Sequence, residues 1–128
     1  MTGNTFRVVG LALALELAMV SRLSGAEGDA VRGQKLYEEC IACHSLEPGV
    51  HGIGPSLYGV FNRKAGELSD YRYSPTLKRS GIIWTADTID AFIADAQQFL
   101  PANRMPYAGM PNAADRADLI AYLHRAAK

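Results

Sequence analysis

Cys40-Ile41-Ala42-Cys43-His44 (CIACH) contains both cysteines of the chain, and a histidine directly follows the second one. The segment is compatible with a disulfide, a metal site, a redox-active dithiol or an attachment point for a cofactor. Each possibility requires different partner residues in the rest of the chain, so the chemistry of this segment determines how the rest of the chain must fold around it.

Three of these sites have little support elsewhere in the sequence. A disulfide between Cys40 and Cys43 would close a very small loop and add little stability. A reactive dithiol normally begins a helix after a strand, whereas this pair is at the end of a predicted helix. Structural zinc takes four ligands, and the other histidines, His51 and His124, lack ligand-like spacing.

Covalent haem attachment fits the segment best. Each cysteine sulfur forms a thioether with one haem vinyl group, and a spacing of three residues on a helical turn directs both sulfurs to one side. His44 then lies beside the attachment point as an axial iron ligand. We therefore predict haem c bound through Cys40 and Cys43, with His44 on the iron.

The pattern of apolar residues predicts an all-α domain over residues 27–128, with three main helices, short helical turns and long loops. The helices are Gly28–Cys40, a short one at Pro75–Arg79, one from the N-cap Thr85 to about Ala96, and Ala113–Ala126 after the N-cap Asn112. The predicted buried faces are Ala30, Gly33 and Tyr37; Ile89, Phe92, Ile93 and Ala96; and Ala117, Ile120, Ala121 and Leu123. Such helices enclose a thin core, so we expect the cofactor to organise the loops.

Residues 1–26 have the pattern of a secretory signal peptide. Arg7 precedes a short apolar run at Val8–Val20, and the small residues Ser24-Gly25-Ala26 follow it. The run is shorter than the roughly 20 residues of a membrane span, and Glu16 also argues against an uncleaved anchor. A buried helix is the remaining alternative. We predict cleavage after Ala26 and export to the periplasm.

Chain length and net charge narrow the range of possible functions further. The chain has 128 residues, enough for one small domain. Its 13 acidic and 13 basic residues balance, and no basic cluster stands out, so a nucleic-acid partner is not expected.

A second axial ligand would decide whether the iron transfers electrons or binds substrates. Met105 and Met110 lie in a loop whose three prolines restrict the backbone, which suits a weak thioether ligand. His51 and His124 are the other candidates.

The sequence resembles class I cytochromes c of the soluble bacterial and mitochondrial type over nearly all of residues 28–128. The resemblance is carried by GDAVRGQKLYEECIACHS (28–45), HGIGPSLYGVFNRKAG (51–66), YSPTLKRSGIIW (73–84), LPANRMPYAGM (100–110) and DRADLIAYL (115–123). It implies the cytochrome c fold, with Met105 as the sixth ligand and Met110 as a packing residue.

The resemblance also implies roles for single residues. The Pro55 carbonyl would accept the N–H of His44, and Gly33 and Tyr37 would pack on Leu119 and Tyr122 of the last helix. The haem propionates would be bound by Arg63, Tyr73 and Trp84, with Asn103 in place of the family's threonine.

Several positions depart from the mitochondrial type. Leu77 replaces an asparagine near the haem, and Phe92 replaces a tyrosine that hydrogen-bonds the ligand sulfur. The lysine ring around the haem edge is largely absent, so strong steering toward an acidic partner is not expected. The matching positions are Glu39, Gln97, Pro111 and Asn112, with Arg104 as an exception.

The resemblance implies a monomeric electron carrier, not an enzyme, that exchanges electrons with protein redox partners of a respiratory or photosynthetic chain and has no stable small-molecule substrate. A haem enzyme or gas sensor with an open sixth site is one alternative. A haem-free thiol–disulfide protein is the other.

Overall fold

The helices account for all of the regular structure in the described part of the chain. The computed structural model describes Met1 and residues 27–128; the predicted signal peptide lies outside the described residues, apart from Met1. These residues form six α-helices and no strand, with one isolated antiparallel bridge between Lys64 and Ile83. The helices are α1 (Ala30–Leu36), α2 (Glu38–Ile41), α3 (Pro75–Arg79), α4 (Ala86–Ala94), α5 (Ala96–Phe99) and α6 (Ala113–Ala126). The prediction of an all-α fold is confirmed.

Side-chain caps explain where most of these helices begin. Thr85 and Thr88 form a reciprocal capping box at the start of α4, and the Asn112 side chain accepts two backbone N–H groups at the start of α6. Ser74 caps α3, and Pro75 follows it at the first helical position. The bounds of α3 and α6 are as predicted.

Two helix boundaries differ from the prediction. The first helix is interrupted at Tyr37, so that α1 and α2 replace one element over Gly28–Cys40. The helix after Thr85 ends at Ala94, because Asp95 adopts an extended backbone (φ −158°, ψ 97°). The Asp95 side chain then accepts the N–H of Gln98 and starts the short helix α5, which the sequence pattern did not predict.

Helices α1 and α6 cross at very close range. A Cβ on Gly33 would lie 1.9 Å from the Asp118 carbonyl oxygen, so only glycine fits at this crossing. The Tyr37 and Tyr122 rings lie beside it, with centroids 5.4 Å apart. The Asp118 carboxylate is buried here, where it accepts the Asp29 N–H at 2.6 Å and pairs with the Arg32 guanidinium at 2.9 Å.

The core lies between α4, α6 and the loops. Every member of the faces predicted for the first helix and for the helix after Thr85 is buried. In α6, Ile120 and Leu123 are buried as predicted, but Ala117 and Ala121 are only half-buried. The most buried positions there are Leu119 and Asp118, because the close contact with α1 rotates the buried stripe toward them. Among residues 27–128, no helix has both the length and the apolar character needed to cross a membrane.

Candidate functional site

A cavity of about 580 Å³ lies between α2, α4, α6 and the loops that join them, within the size range of ligand-binding pockets. Its walls are mainly apolar, with contributions from Leu57, Val60, Leu77, Ile89, Phe92 and Leu119. All nine site residues predicted from the sequence line this one cavity: Cys40, Cys43, His44, Pro55, Arg63, Tyr73, Trp84, Asn103 and Met105.

His44 presents one ring nitrogen for bonding into the site. Its Nδ1 lies 2.7 Å from the Pro55 carbonyl oxygen, and since a carbonyl only accepts, Nδ1 carries the proton. Nε2 therefore retains its lone pair. Burial lowers the pKa of His44, which favours the neutral imidazole that binds metals.

A glycine missed by the sequence analysis seats the His44 ring. A Cβ on Gly54 would lie 2.3 Å from Cε1 of His44 and 2.7 Å from both ring nitrogens. The Gly54 N–H also donates to the Cys43 carbonyl oxygen at 2.8 Å. The signal in the sequence is its position directly before Pro55, the residue that accepts the histidine proton.

The two cysteines are unpaired, and Cys40 is not a reactive thiolate. Burial, together with the neighbouring Glu39, raises the pKa of Cys40 to about 11. A catalytic dithiol needs a lowered thiol pKa, so this environment argues against that alternative. Within residues 27–128, no three His, Cys, Asp or Glu side chains gather into a metal site, which leaves zinc without a ligand set there.

Arg63 lines the cavity, and backbone carbonyls hold its guanidinium group in place. Its two terminal nitrogens donate to the backbone carbonyls of Tyr58 (2.8 Å) and Ser56 (2.9 Å), which fixes the plane of the guanidinium group. Its Nε is buried and has no hydrogen-bond partner among the described residues. A buried N–H of a cation without a hydrogen-bond partner costs free energy.

Tyr73 and Trp84 also line the cavity. Both side chains are buried, and the Tyr73 ring packs edge-on against Tyr71 with centroids 4.8 Å apart. Burial raises the pKa of Tyr73, so its hydroxyl stays protonated. Arg72 and Ser74, which the sequence analysis did not identify, line the cavity beside Tyr73.

The Asn103 side chain makes three hydrogen bonds to the backbone. Both of its amide hydrogens are donated to backbone carbonyls, those of Ala96 (2.7 Å) and Leu100 (2.8 Å). Its Oδ1 accepts the N–H of Met105 at 2.8 Å. In this arrangement both amide N–H groups are used by backbone carbonyls, and the propionate contact expected of Asn103 stays a prediction.

Of the two late methionines, only Met105 lines the cavity. Met110 is buried in the core, where its N–H donates to the Ile93 carbonyl at 2.8 Å. Phe92 packs edge-on against Trp84 with centroids 5.1 Å apart. It brings no hydroxyl into the cavity, and neither does Leu77.

Glu39 and Tyr107 connect two sides of the cavity, a pair that the sequence analysis missed. The Tyr107 hydroxyl donates to Glu39 Oε2 at 2.6 Å across 68 positions of the chain. Burial and the Glu39 carboxylate raise the pKa of Tyr107, so this hydrogen bond persists at neutral pH. The segment before Cys40 is thereby tied to the loop after Met105.

The other two histidines lie outside the cavity. His51 accepts the Ser56 N–H through Nδ1, and its Nε2 is 3.1 Å from Asp70. His124 is exposed and stacks on Phe61 with ring centroids 3.7 Å apart. Both are engaged in local packing and do not line the cavity.

Comparison with known proteins gives one consistent result. The sequence model of the cytochrome c family matches residues 30–127. Cytochrome c2 of Rhodoblastus acidophilus is 44% identical over 97 residues, which is 75% of this chain and 91% of that protein. Cytochrome c2 iso-2 of Magnetospirillum fulvum is 46% identical over 84 residues, 66% of this chain and 88% of that protein. The solved structure of cytochrome cH from Methylobacterium extorquens superposes with a TM-score of 0.73 at 37% identity, covering 77% of this chain and 99% of that one.

Proposed function

The chain belongs to the cytochrome c family, and we propose that it is a periplasmic carrier in which His44 and Met105 are the axial ligands of one covalently bound haem. Members of this family carry electrons and are not enzymes. The proposal extends to cleavage of residues 1–26 as a signal peptide, to a monomer, and to electron exchange with protein partners of a respiratory or photosynthetic chain.

One observation supports the haem site above all others. The two unpaired sulfurs, an imidazole with a free Nε2 and the Met105 side chain line one apolar cavity. When bound, haem supplies a single-electron iron couple whose potential depends on its axial ligands and surroundings. Cys40 and Cys43 would hold it covalently, and His44 Nε2 and Met105 Sδ would bind the iron.

The polar residues of the cavity lining fit the charged edge of the same cofactor. Haem carries two propionate carboxylates, and buried carboxylates need donors or a cation. Arg63 supplies such a cation at the cavity lining, and its guanidinium group is already fixed by two carbonyls. We assign Arg63, Tyr73 and Trp84 to this edge.

The rigidity of the site suits outer-sphere electron transfer. The Nδ1 hydrogen bond to Pro55 fixes the His44 ring, and Asn103 fixes the Met105 backbone. A site with two fixed axial ligands changes little when the iron gains or loses an electron, and it leaves no coordination position for a substrate. Electrons would enter and leave at the cavity mouth, near Glu39 and Tyr107.

The test is to purify the protein from the periplasmic fraction of a host that matures c-type cytochromes. Acidified organic solvent should leave the haem on the protein, whereas a Cys40→Ala, Cys43→Ala double variant should lose it. A redox titration should give a positive potential, because a thioether ligand favours Fe(II). Haem extractable from the unmodified protein, or a clearly negative potential, would contradict the proposal.

A further inference from the structure

The loop that carries Met105 has few backbone hydrogen bonds of its own. Residues 101–111 contain three prolines, which lack an N–H donor. Two backbone–backbone hydrogen bonds reach this stretch in the structure, Asn103 N–H to Leu100 and Met110 N–H to Ile93. Side chains must therefore supply most of what holds the loop in place.

Asn103 supplies three hydrogen bonds from one buried carboxamide. Its two N–H groups bind the carbonyls of Ala96 and Leu100, at the first residue and the C-cap of α5. Its oxygen binds the Met105 N–H at 2.8 Å. Each of these carbonyls also accepts a backbone N–H, Ala96 from Leu100 and Leu100 from Asn103, so the side chain adds a second bond to each and connects α5 to the loop.

Two further features point to the same task. Gln97 on α5 donates its Nε2 to the carbonyls of Asn103 (3.2 Å) and Met105 (3.4 Å), which adds a second connection. Ala102, directly before Asn103, has φ +65°, a left-handed conformation that is unfavourable for alanine. Such a residue persists only where its surroundings determine the backbone, as the Asn103 bonds do here.

We propose that Asn103 is a positioning residue that sets the backbone of Met105, and thereby the reach of the Met105 sulfur, relative to α5. This inference rests on the proposed function, in which Met105 binds the iron. Methionine has three rotatable side-chain bonds, so the position of its sulfur depends on how firmly its backbone is held.

The test measures how easily an added ligand replaces Met105 in the haem-loaded protein. Imidazole is titrated into the oxidised protein and its binding is followed in the visible spectrum. Asn103→Ala should bind imidazole about 10- to 100-fold more tightly than the unmodified protein, because loss of the three Asn103 hydrogen bonds weakens the methionine–iron bond. Met105→Ala sets the upper limit.

The matched control is Asn112→Ala. Asn112 also accepts two backbone N–H groups, at the start of α6, so its loss lowers stability without removing a side-chain hydrogen bond to residues 101–111. Asn103→Asp is the second variant, in case the alanine protein does not fold. It retains the acceptor for Met105 but loses both donors, and it should also bind imidazole more tightly.

The outcomes separate this inference from the proposed function. If Met105→Ala binds imidazole no better than the unmodified protein, Met105 is not the ligand and the proposed function fails. If Met105→Ala binds more tightly but both Asn103 variants match Asn112→Ala, ligation stands and the positioning role is overturned. A change in reduction potential with unchanged imidazole affinity would instead support a contact between Asn103 and a propionate, and it would also overturn the positioning role.

Discussion

Replacement of Gly54 by alanine tests the seat of the histidine ligand directly. The added Cβ would lie 2.3 Å from His44 Cε1, whereas ordinary carbon contacts are about 3.5–4 Å. The ring must therefore move by about 1 Å or more. The Nδ1–Pro55 hydrogen bond, now 2.7 Å, would be stretched past the range in which such bonds form.

Two costs contribute to the expected effect of Gly54→Ala. Overpacking of a filled site costs roughly 1–3 kcal/mol, and loss of one hydrogen bond costs about 1 kcal/mol more. We therefore expect the free energy of unfolding of the haem-loaded protein to fall by about 2–4 kcal/mol. The low-spin visible spectrum and the reduction potential should change as well, because the ligand nitrogen is displaced.

Gly33→Ala is the matched control for this experiment. Its Cβ would meet the Asp118 carbonyl at 1.9 Å, at the crossing of α1 and α6 and away from the cavity lining. It should destabilise the protein in chemical denaturation yet leave the iron spectrum and the potential unchanged. If Gly54→Ala retains the original spectrum and potential, or if Gly33→Ala alters them equally, Gly54 does not seat the His44 ring.

Three further predictions concern charges. Asp118→Ala should lower the free energy of unfolding by about 3 kcal/mol in urea denaturation, because it leaves the Asp29 N–H and Arg32 without their acceptor; an unchanged midpoint would contradict this. The hydrogen bond from His51 lowers the pKa of Asp70 below its ordinary value of 3.8. The Asp70 carboxylate therefore stabilises the fold at pH values above 3.8, and this contribution is lost as the pH falls through the lowered pKa. Asp70→Asn should therefore lose less stability on acidification below about pH 4 than the unmodified protein, and an equal loss would count against the pair. Arg63→Met should lower the reduction potential by on the order of 40 mV, equivalent to about 1 kcal/mol, because a cation near the haem favours Fe(II). A higher reduction potential in the variant would exclude this role of Arg63.

The helices were predictable because their signals are local. Thr85, Asn112 and Ser74-Pro75 are capping sequences, and the structure uses each of them. The break at Tyr37 and the restart at Asp95 were not predictable in the same way. The restart depends on the extended backbone of Asp95 within an otherwise helical pattern, whereas Tyr37 keeps a helical conformation (φ −62°, ψ −17°) and the interruption there is slight.

The candidate site shows the same division. The nine predicted residues line one cavity. Those in CIACH, Gly54-Pro55 and the proline-bounded Met105 loop could be predicted because these are short segments with recognisable patterns. The partners of Asn103 could not be predicted, because two of them are backbone carbonyls of a helix absent from the predicted pattern. The Glu39–Tyr107 pair joins residues 68 positions apart and depends on the completed fold.

The central claim is that one covalently held haem has both axial positions filled by His44 and Met105. It is tested most directly by the visible spectrum of the reduced, purified protein before and after addition of carbon monoxide, with Met105→Ala measured alongside. If both positions are filled in this way, the unmodified protein has a low-spin spectrum that carbon monoxide leaves unchanged, and the variant binds carbon monoxide readily. Carbon monoxide binding by the unmodified protein, or none by the variant, would contradict it.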